Sequence, residues 1–235
     1  MPGVRAVVLG GSRSAALADE RSDWDLGVYY RSAIDLGKLT AHGTVHPPGS
    51  WGRLMNGGAW LERGGAKVDV LLRDLDVVEH WTRRAEEGYF EVDALLGYAA
   101  GAPTYLLTAE LASSRVLRGD LARVAFPPKL AASAPARWRY HRTFSLDYAR
   151  MHARRCSVIG VVSQATKAVL EEAHAVACER SMWVINEKRL IEMAGLERLH
   201  ERFRQVPNDA RALGMWVEEI AAELGWAYDR QPKPE

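Results

Sequence analysis

The stretch Val7-Val8-Leu9-Gly10-Gly11-Ser12-Arg13, followed by Asp23-Trp24-Asp25-Leu26-Gly27-Val28, decides how the chain is read. Val4, Ala6, Val7, Val8 and Leu9 make an apolar run with the composition of a strand. Gly10 and Gly11 let the backbone turn tightly and come close to a ligand. Ser12 is placed to cap a short helix over Arg13 to Ala18, whose free N–H groups would face a phosphate. Asp23 and Asp25 stand two apart on the next strand, so both project from one face. Two acids side by side repel unless a cation sits between them. Lys67-Val68-Asp69-Val70-Leu71-Leu72 supplies a further acid, Asp69, inside a second apolar, β-branched run.

Outward from this stretch, Ile34 to about His42 reads as a short helix, broken by His46-Pro47-Pro48-Gly49-Ser50. Trp51 to Gly58 reads as loop, and Ala59–Arg63 with Ala66–Leu72 as a hairpin around Gly64-Gly65. Asp74 caps a helix from Leu75 to about Glu87, with Val77, Val78 and Trp81 on one face, and Thr104 to Leu117 reads as helix. Pro127-Pro128 marks a domain boundary, after which helical periodicity dominates. Phe144, Tyr148 and Met151 fall at i, i+4 and i+7, and Val158, Val162, Ala165, Val169, Ala173 and Val176 trace a continuous apolar stripe. Lys167, Glu171, His174 and Cys178 line the opposite side of that helix. They read either as a solvated face with an i,i+4 ion pair or as a cleft-facing row in which Lys167 binds phosphate and Glu171 acts as a base. Asn186–Ala194 and Asp209–Leu224 read as further helices, with Gly195 and Gly225 as C-caps and Asp229–Glu235 as a frayed tail.

With 235 residues and a net charge of +1, the chain has material for one domain or two small ones, and nothing in its bulk charge favours a long nucleic acid or an anionic membrane. Its two cysteines, Cys156 and Cys178, are too few for a disulfide framework and read as buried packing residues in a reducing, cytoplasmic setting. No signal peptide is evident, and no apolar run approaches the roughly 20 residues that span a bilayer. His42 and His46 are four apart but precede a proline pair, which disfavours a zinc site. The tryptophans read as core anchors, except that Trp51 and Trp60 flank a glycine-rich loop where one could stack on a base or an acceptor ring.

Leu9-Gly10-Gly11-Ser12, then Asp23-Trp24-Asp25-Leu26 eleven positions after Ser12, with Asp69 on a later strand, resembles the signature of the nucleotidyltransferase superfamily. This is the fold shared by DNA polymerase beta and the aminoglycoside nucleotidyltransferases. The resemblance implies an α+β fold: a mixed-sheet nucleotidyltransferase domain over residues 1–126, then a helical bundle over 127–228, with 229–235 as a flexible tail. It implies Mg2+ held by Asp23, Asp25 and Asp69, with Asp69 near the acceptor or taking its proton. Gly10, Gly11, Ser12 and Arg13 would hold the phosphates of ATP or another nucleoside triphosphate, joined by Lys167. The implied activity is transfer of AMP to a hydroxyl of a small molecule such as an antibiotic. Alternatives are adenylylation of a protein partner, as in minimal antitoxins, or a degenerate nucleotide-binding protein. Relatives often continue the turn with a later Arg and Gly; here Arg13-Ser14-Ala15-Ala16 follows, so both are missing.

Overall fold

The computed structural model describes residues 3–14 and 23–226. Its class is α+β, and the chain divides into two units: Met1–Glu91 with Pro103–Pro127, and Val92–Ala102 with Pro128–Glu235. In the first unit, β1 (Val4–Leu9), α1 (Gly11–Ser14), β2 (Trp24–Tyr30), β3 (Gly43–His46), α2 (Gly52–Met55), β4 (Gly57–Arg63), β5 (Ala66–Asp74) and α3 (Leu75–Glu86) follow in order. After β6 (Val92–Asp93) and β7 (Ala102–Pro103), which pair as a small ribbon, come α4 (Leu106–Ser113) and β8 (Arg115–Gly119). The six-stranded sheet has the order β3-β4-β5-β2-β1-β8, in which β2 and β5 run parallel and every other neighbouring pair antiparallel. It is therefore a mixed sheet.

The hairpin of β4 and β5 turns at Gly64-Gly65, and the Asp74 carboxylate accepts from the Asp76 amide at 3.0 Å to cap α3. Three local expectations change. Ile34–His42 holds only a single 3-10 turn, Thr40–His42, because the Asp35 carboxylate takes the Gly37 amide at 2.9 Å in place of a helical bond. Trp51–Gly58 is not all loop: one helical turn, α2, leads straight into β4 at Gly57. Thr104–Leu117 is split, since Ser114 is extended and the chain then pairs with β1 as β8, satisfying backbone groups β1 would otherwise leave open. The helix expected over Arg13–Ala18 begins at Gly11, and its part beyond Ser14 lies outside the described residues.

Ala6, Val8, Leu9, Tyr29, Tyr30, Ala59, Val70 and Leu72 bury the sheet's apolar side chains. Arg73 is buried among them, its guanidinium gripping both oxygens of Glu110 at 2.6 and 2.8 Å and donating to the Met55 carbonyl at 2.9 Å. Removing either partner would strand a buried charge, a change that typically costs about 3–5 kcal/mol.

The second unit is a helical bundle. Helices α5 (Pro128–Arg154) and α6 (Val158–Glu179) are joined by three residues and so run antiparallel, followed by α7 (Leu190–Ala194), α8 (Leu199–Arg204) and α9 (Ala210–Glu223). Pro128 opens α5 at a position where a missing N–H costs nothing. The helix expected from Asn186 starts only at Leu190. Ahead of it, Asn186 Oδ1 accepts from the Lys188 amide at 3.0 Å, and Glu187 accepts from the amides of Ala99 and Ala100 at 2.7 and 2.9 Å. Asp209 caps α9 through the Ala212 amide at 2.9 Å, and Gly195 ends α7 in the left-handed region, the latter as expected. The tail at 229–235 lies outside the described residues.

The side of α6 expected to be solvated is buried. Glu171, His174 and Cys178 are each about 1% exposed, because α5, α7 and α9 pack around this helix. Conversely Phe144, Tyr148 and Met151 of α5 are exposed, and the face that α5 buries carries Trp138, Ser145, Leu146, Ala149 and Ala153. Cys156 is also exposed, its thiol donating to the Asn208 carbonyl at 3.2 Å, so only Cys178 is a buried packing residue. Glu172 is paired with Arg142 and with Arg139, while the His174 ring stacks on Trp138 at 4.4 Å and 9° between planes. Burial lowers the His174 imidazole to about 3 and raises the Glu171 carboxyl to about 7, against the hydrogen bond Glu171 accepts from Ser145 at 2.7 Å. Among the described residues, no helix is long and apolar enough to cross a membrane.

A carboxyl raised from 4.5 to about 7 contributes stability that is complete below pH 4.5 and is lost as pH rises through 7. The variant Glu171→Gln, which keeps an acceptor for Ser145, is therefore expected to melt at progressively higher temperature relative to the parent as pH goes from 4.5 to 7.5. Thermal unfolding followed by circular dichroism across that range checks the sign.

Candidate active site

The sheet register assembles the site. Asp25 on β2 lies directly beside Asp69 on the parallel strand β5, and Asp69 lies opposite Trp60 on β4, which in turn lies opposite Thr44 on β3. Paired positions share a face, so Thr44, Trp60, Asp69 and Asp25 form one row across four strands. Asp23, two residues before Asp25, stands at the mouth of β2 on the same side. Beyond Asp25 the row reaches the turn after β1, where the Gly10 amide donates to the Asp25 carbonyl at 2.8 Å.

The glycine turn is built against the acid. Gly11 has φ +59°, and a Cβ there would run into Asp25 Oδ2 and lie 2.6 Å from its Cγ. Only glycine lets the backbone sit this close over a carboxylate in that conformation. Ser12 lies inside α1 and not at its cap, because the helix already begins at Gly11. Arg13 folds back over the Trp24 ring, 4.4 Å from its centroid, and its Nε donates to the Asp23 carbonyl at 3.2 Å. This places a cation at the mouth of the acid row.

Asp69 shows the electrostatic result. Its carboxyl is raised above the ordinary range, first by burial and then by the charge of Asp23, with Lys67 acting in the opposite sense. Lys67 is two residues from Asp69 on β5 and so shares its face. The row thus concentrates like charges on partly dry ground, which is the environment a hard cation with oxygen ligands relieves. Three carboxylates on two adjacent strands suit Mg2+ in donor type. Among the described residues, however, no three His, Cys, Asp or Glu side chains are gathered tightly enough to hold a metal ion as they stand.

Lys167 and Glu171 lie on α6 of the bundle, where their charged ends are 3.9 Å apart. Sequence reasoning gave less weight to the aromatic group beside the acids. Trp60 and Trp51 stack at 5.5 Å and 30°, and His46 sits 4.4 Å edge-on to Trp60 and 4.8 Å from Trp51. Trp51 lies across β4 at Gly58, where a Cβ would fall 2.5 and 2.7 Å from its ring carbons. A signal was present in the sequence: two tryptophans flanking paired glycines, on a strand preceding the third acid.

A separate cavity of about 610 Å3 is lined by Arg53, Arg73, Asp76, His80 and Trp81 among others, and none of the three acids borders it. Its cations are already engaged: Arg53 pairs with Glu91 at 2.6 Å and Arg73 with Glu110.

No protein-family model matches the sequence, and no curated protein matches it. Among solved structures, a nucleotidyltransferase-like protein from Exiguobacterium sibiricum is similar at 12% identity with a TM-score of 0.45, over 94% of this chain and 70% of that one. An aminoglycoside 6-adenyltransferase from Bacillus subtilis is similar at 9% identity with a TM-score of 0.29, over 97% of this chain and 87% of that one. A cyclic dinucleotide synthase from Elizabethkingia meningoseptica, solved with GTP and Apcpp, is similar at 9% identity with a TM-score of 0.22, over 94% and 84%. All three TM-scores lie below 0.5.

The charges around Asp69 set a test of the row itself. Asp23→Asn is expected to lower the Asp69 titration midpoint and Lys67→Met to raise it, read from the pH dependence of the side-chain carboxyl carbon in NMR spectra.

Proposed function

We propose that this chain is a magnesium-dependent nucleotidyltransferase that moves a nucleoside monophosphate, AMP by default, from a nucleoside triphosphate to a hydroxyl of a small molecule. One observation carries the reading: Asp25 and Asp69 stand side by side on parallel strands, with a left-handed glycine turn packed directly over Asp25. An anion pair under a turn whose backbone can approach a ligand is an arrangement for cation and phosphate together.

In this reading Asp23, Asp25 and Asp69 hold Mg2+. When bound, the ion neutralises charge on the phosphates and lowers the cost of bringing an anionic donor onto an acidic face. The chain's own groups do the rest. The Gly10 amide is taken by the Asp25 carbonyl, so it is the amides from Gly11 onward that would face the β- and γ-phosphates, and Arg13, held on Trp24, adds a charge-assisted contact. The acceptor hydroxyl oxygen attacks the α-phosphorus and forms a new P–O bond. The bond from that phosphorus to the bridging oxygen breaks, and pyrophosphate leaves with the electron pair. The acceptor's proton passes to Asp69 or, where Asp69 holds the ion, to water. Nothing in the glycine turn or the acids selects a nucleobase, and ATP is the donor by default.

The experiment is incorporation of labelled AMP from ATP with and without Mg2+, using the full chain and a set of hydroxyl-bearing small molecules. Asp25→Asn, nearly isosteric against Gly11, is expected to reduce transfer at least about 100-fold with an unchanged circular dichroism spectrum. Equal turnover in that variant, or label appearing only on protein, overturns the reading.

A further inference from the structure

We propose that the Trp60–Trp51 pair is the acceptor's platform, and that the acceptor is a small molecule presenting the flat or apolar face of a ring. The inference rests on the nucleotidyl-transfer reading above and extends it to the acceptor's chemistry.

Position comes first. Along the row, the glycine turn, Asp25, Asp69 and Trp60 follow one another on β1, β2, β5 and β4. Neighbouring strands are about 4.8 Å apart, so Trp60 lies about 10 Å from Asp25 across the sheet. In-line displacement sets the incoming and leaving oxygens on opposite sides of the phosphorus. With the leaving pyrophosphate at the turn and the phosphorus at the acids, the attacking hydroxyl enters from the β4 side. Trp60 is the residue paired with Asp69 on that side.

Chemistry comes second. Trp60 is 54% exposed, a large apolar surface left open beside three acids. It is not loose: Trp51 backs it at 5.5 Å, and His46 abuts its edge at 4.4 Å. His46 Nε2 is buried and has no hydrogen-bond partner among the described residues, so the imidazole acts here as packing plus one unmet polar atom. At Gly58 a Cβ would run into the Val70 carbonyl oxygen and meet the Trp51 ring at 2.5 Å, so glycine is what leaves room for the ring over the strand. A braced, exposed indole takes a ring face by stacking, with little loss of side-chain freedom.

The test uses the full chain labelled with 5-fluorotryptophan, with the Trp60 and Trp51 resonances assigned from Trp60→Phe and Trp51→Phe. Three probes are titrated with Mg2+ present: phenyl β-D-glucopyranoside as a ring-bearing polyol, sorbitol as its ring-free counterpart, and the nonhydrolysable ATP analogue AMPCPP. The expected result is a saturable shift at Trp60 and Trp51 with the phenyl glucoside, none with sorbitol, and retention of that shift when AMPCPP is bound. Trp60→Ala is expected to weaken the phenyl glucoside about 10-fold, with Trp60→Phe recovering most of the loss. Shifts that follow AMPCPP and are displaced by it assign the platform to the base and overturn the proposal, as does the absence of a saturable shift with the glucoside. AMPCPP binding, read separately by phosphorus NMR, tests the donor site. If the analogue fails to bind while the glucoside still moves Trp60, the transfer reading fails and the platform stands.

Discussion

The register between β2 and β5 is the constraint on which the first unit depends. Because the two strands run parallel and in step from Trp24–Val68 to Tyr30–Asp74, Asp25 has no choice of neighbour but Asp69. A slip of one residue would send every side chain of one strand to the opposite face. The far end of the same strands opposes such a slip. There Tyr29 pairs with Arg73, and Arg73 is tied through both nitrogens of its fork to Glu110 on α4. One end of the two strands therefore holds a satisfied buried charge, and the other holds acids that repel. The stability invested at the first end keeps the second in place.

The bundle treats charge differently. Glu172 lies between Arg142 and Arg139, and Glu171 takes the Ser145 hydroxyl, so each buried carboxylate has a donor. Such networks contribute little net stability compared with apolar packing, but breaking one side is costly. His174 takes the other route and remains neutral on the face of Trp138. Paired acids in the bundle are structural. On the sheet, by contrast, Asp25 and Asp69 are set beside one another by the strand register.

What could be read from the residues alone follows the range of the interactions involved. The turn at Gly10–Gly11, the acid pair and the cap at Asp74 are each written in a few consecutive positions, and they appear where local chemistry puts them. Asp69 was legible because an acid inside an apolar strand is conspicuous. The row that includes Trp60 was not, since it depends on the pairing of β4 with β5 and on Trp51 folding across Gly58. The charged side of α6 is open to two readings from sequence because periodicity shows which residues share a face and not what packs on it. The same holds in reverse for Phe144 and Tyr148, whose spacing is that of a buried stripe and whose rings are exposed. Residues 104–117 read as one helix because β8 is a strand only by virtue of β1 beside it.

Glu187 has a consequence for how the chain can be dissected. Its carboxylate receives the amides of Ala99 and Ala100, and the Tyr98 hydroxyl donates to the Ile185 carbonyl at 2.8 Å, so the excursion at 92–102 is fastened to the bundle from within the sheet-forming half of the sequence. The polypeptide thus passes between its two units three times, and no single cut separates them. A fragment ending at Pro127 would carry a loop whose amides have lost their acceptor, and one beginning at Pro128 would carry an acid with no amides to meet. Gene truncation and domain exchange between relatives would have to move the excursion along with the bundle.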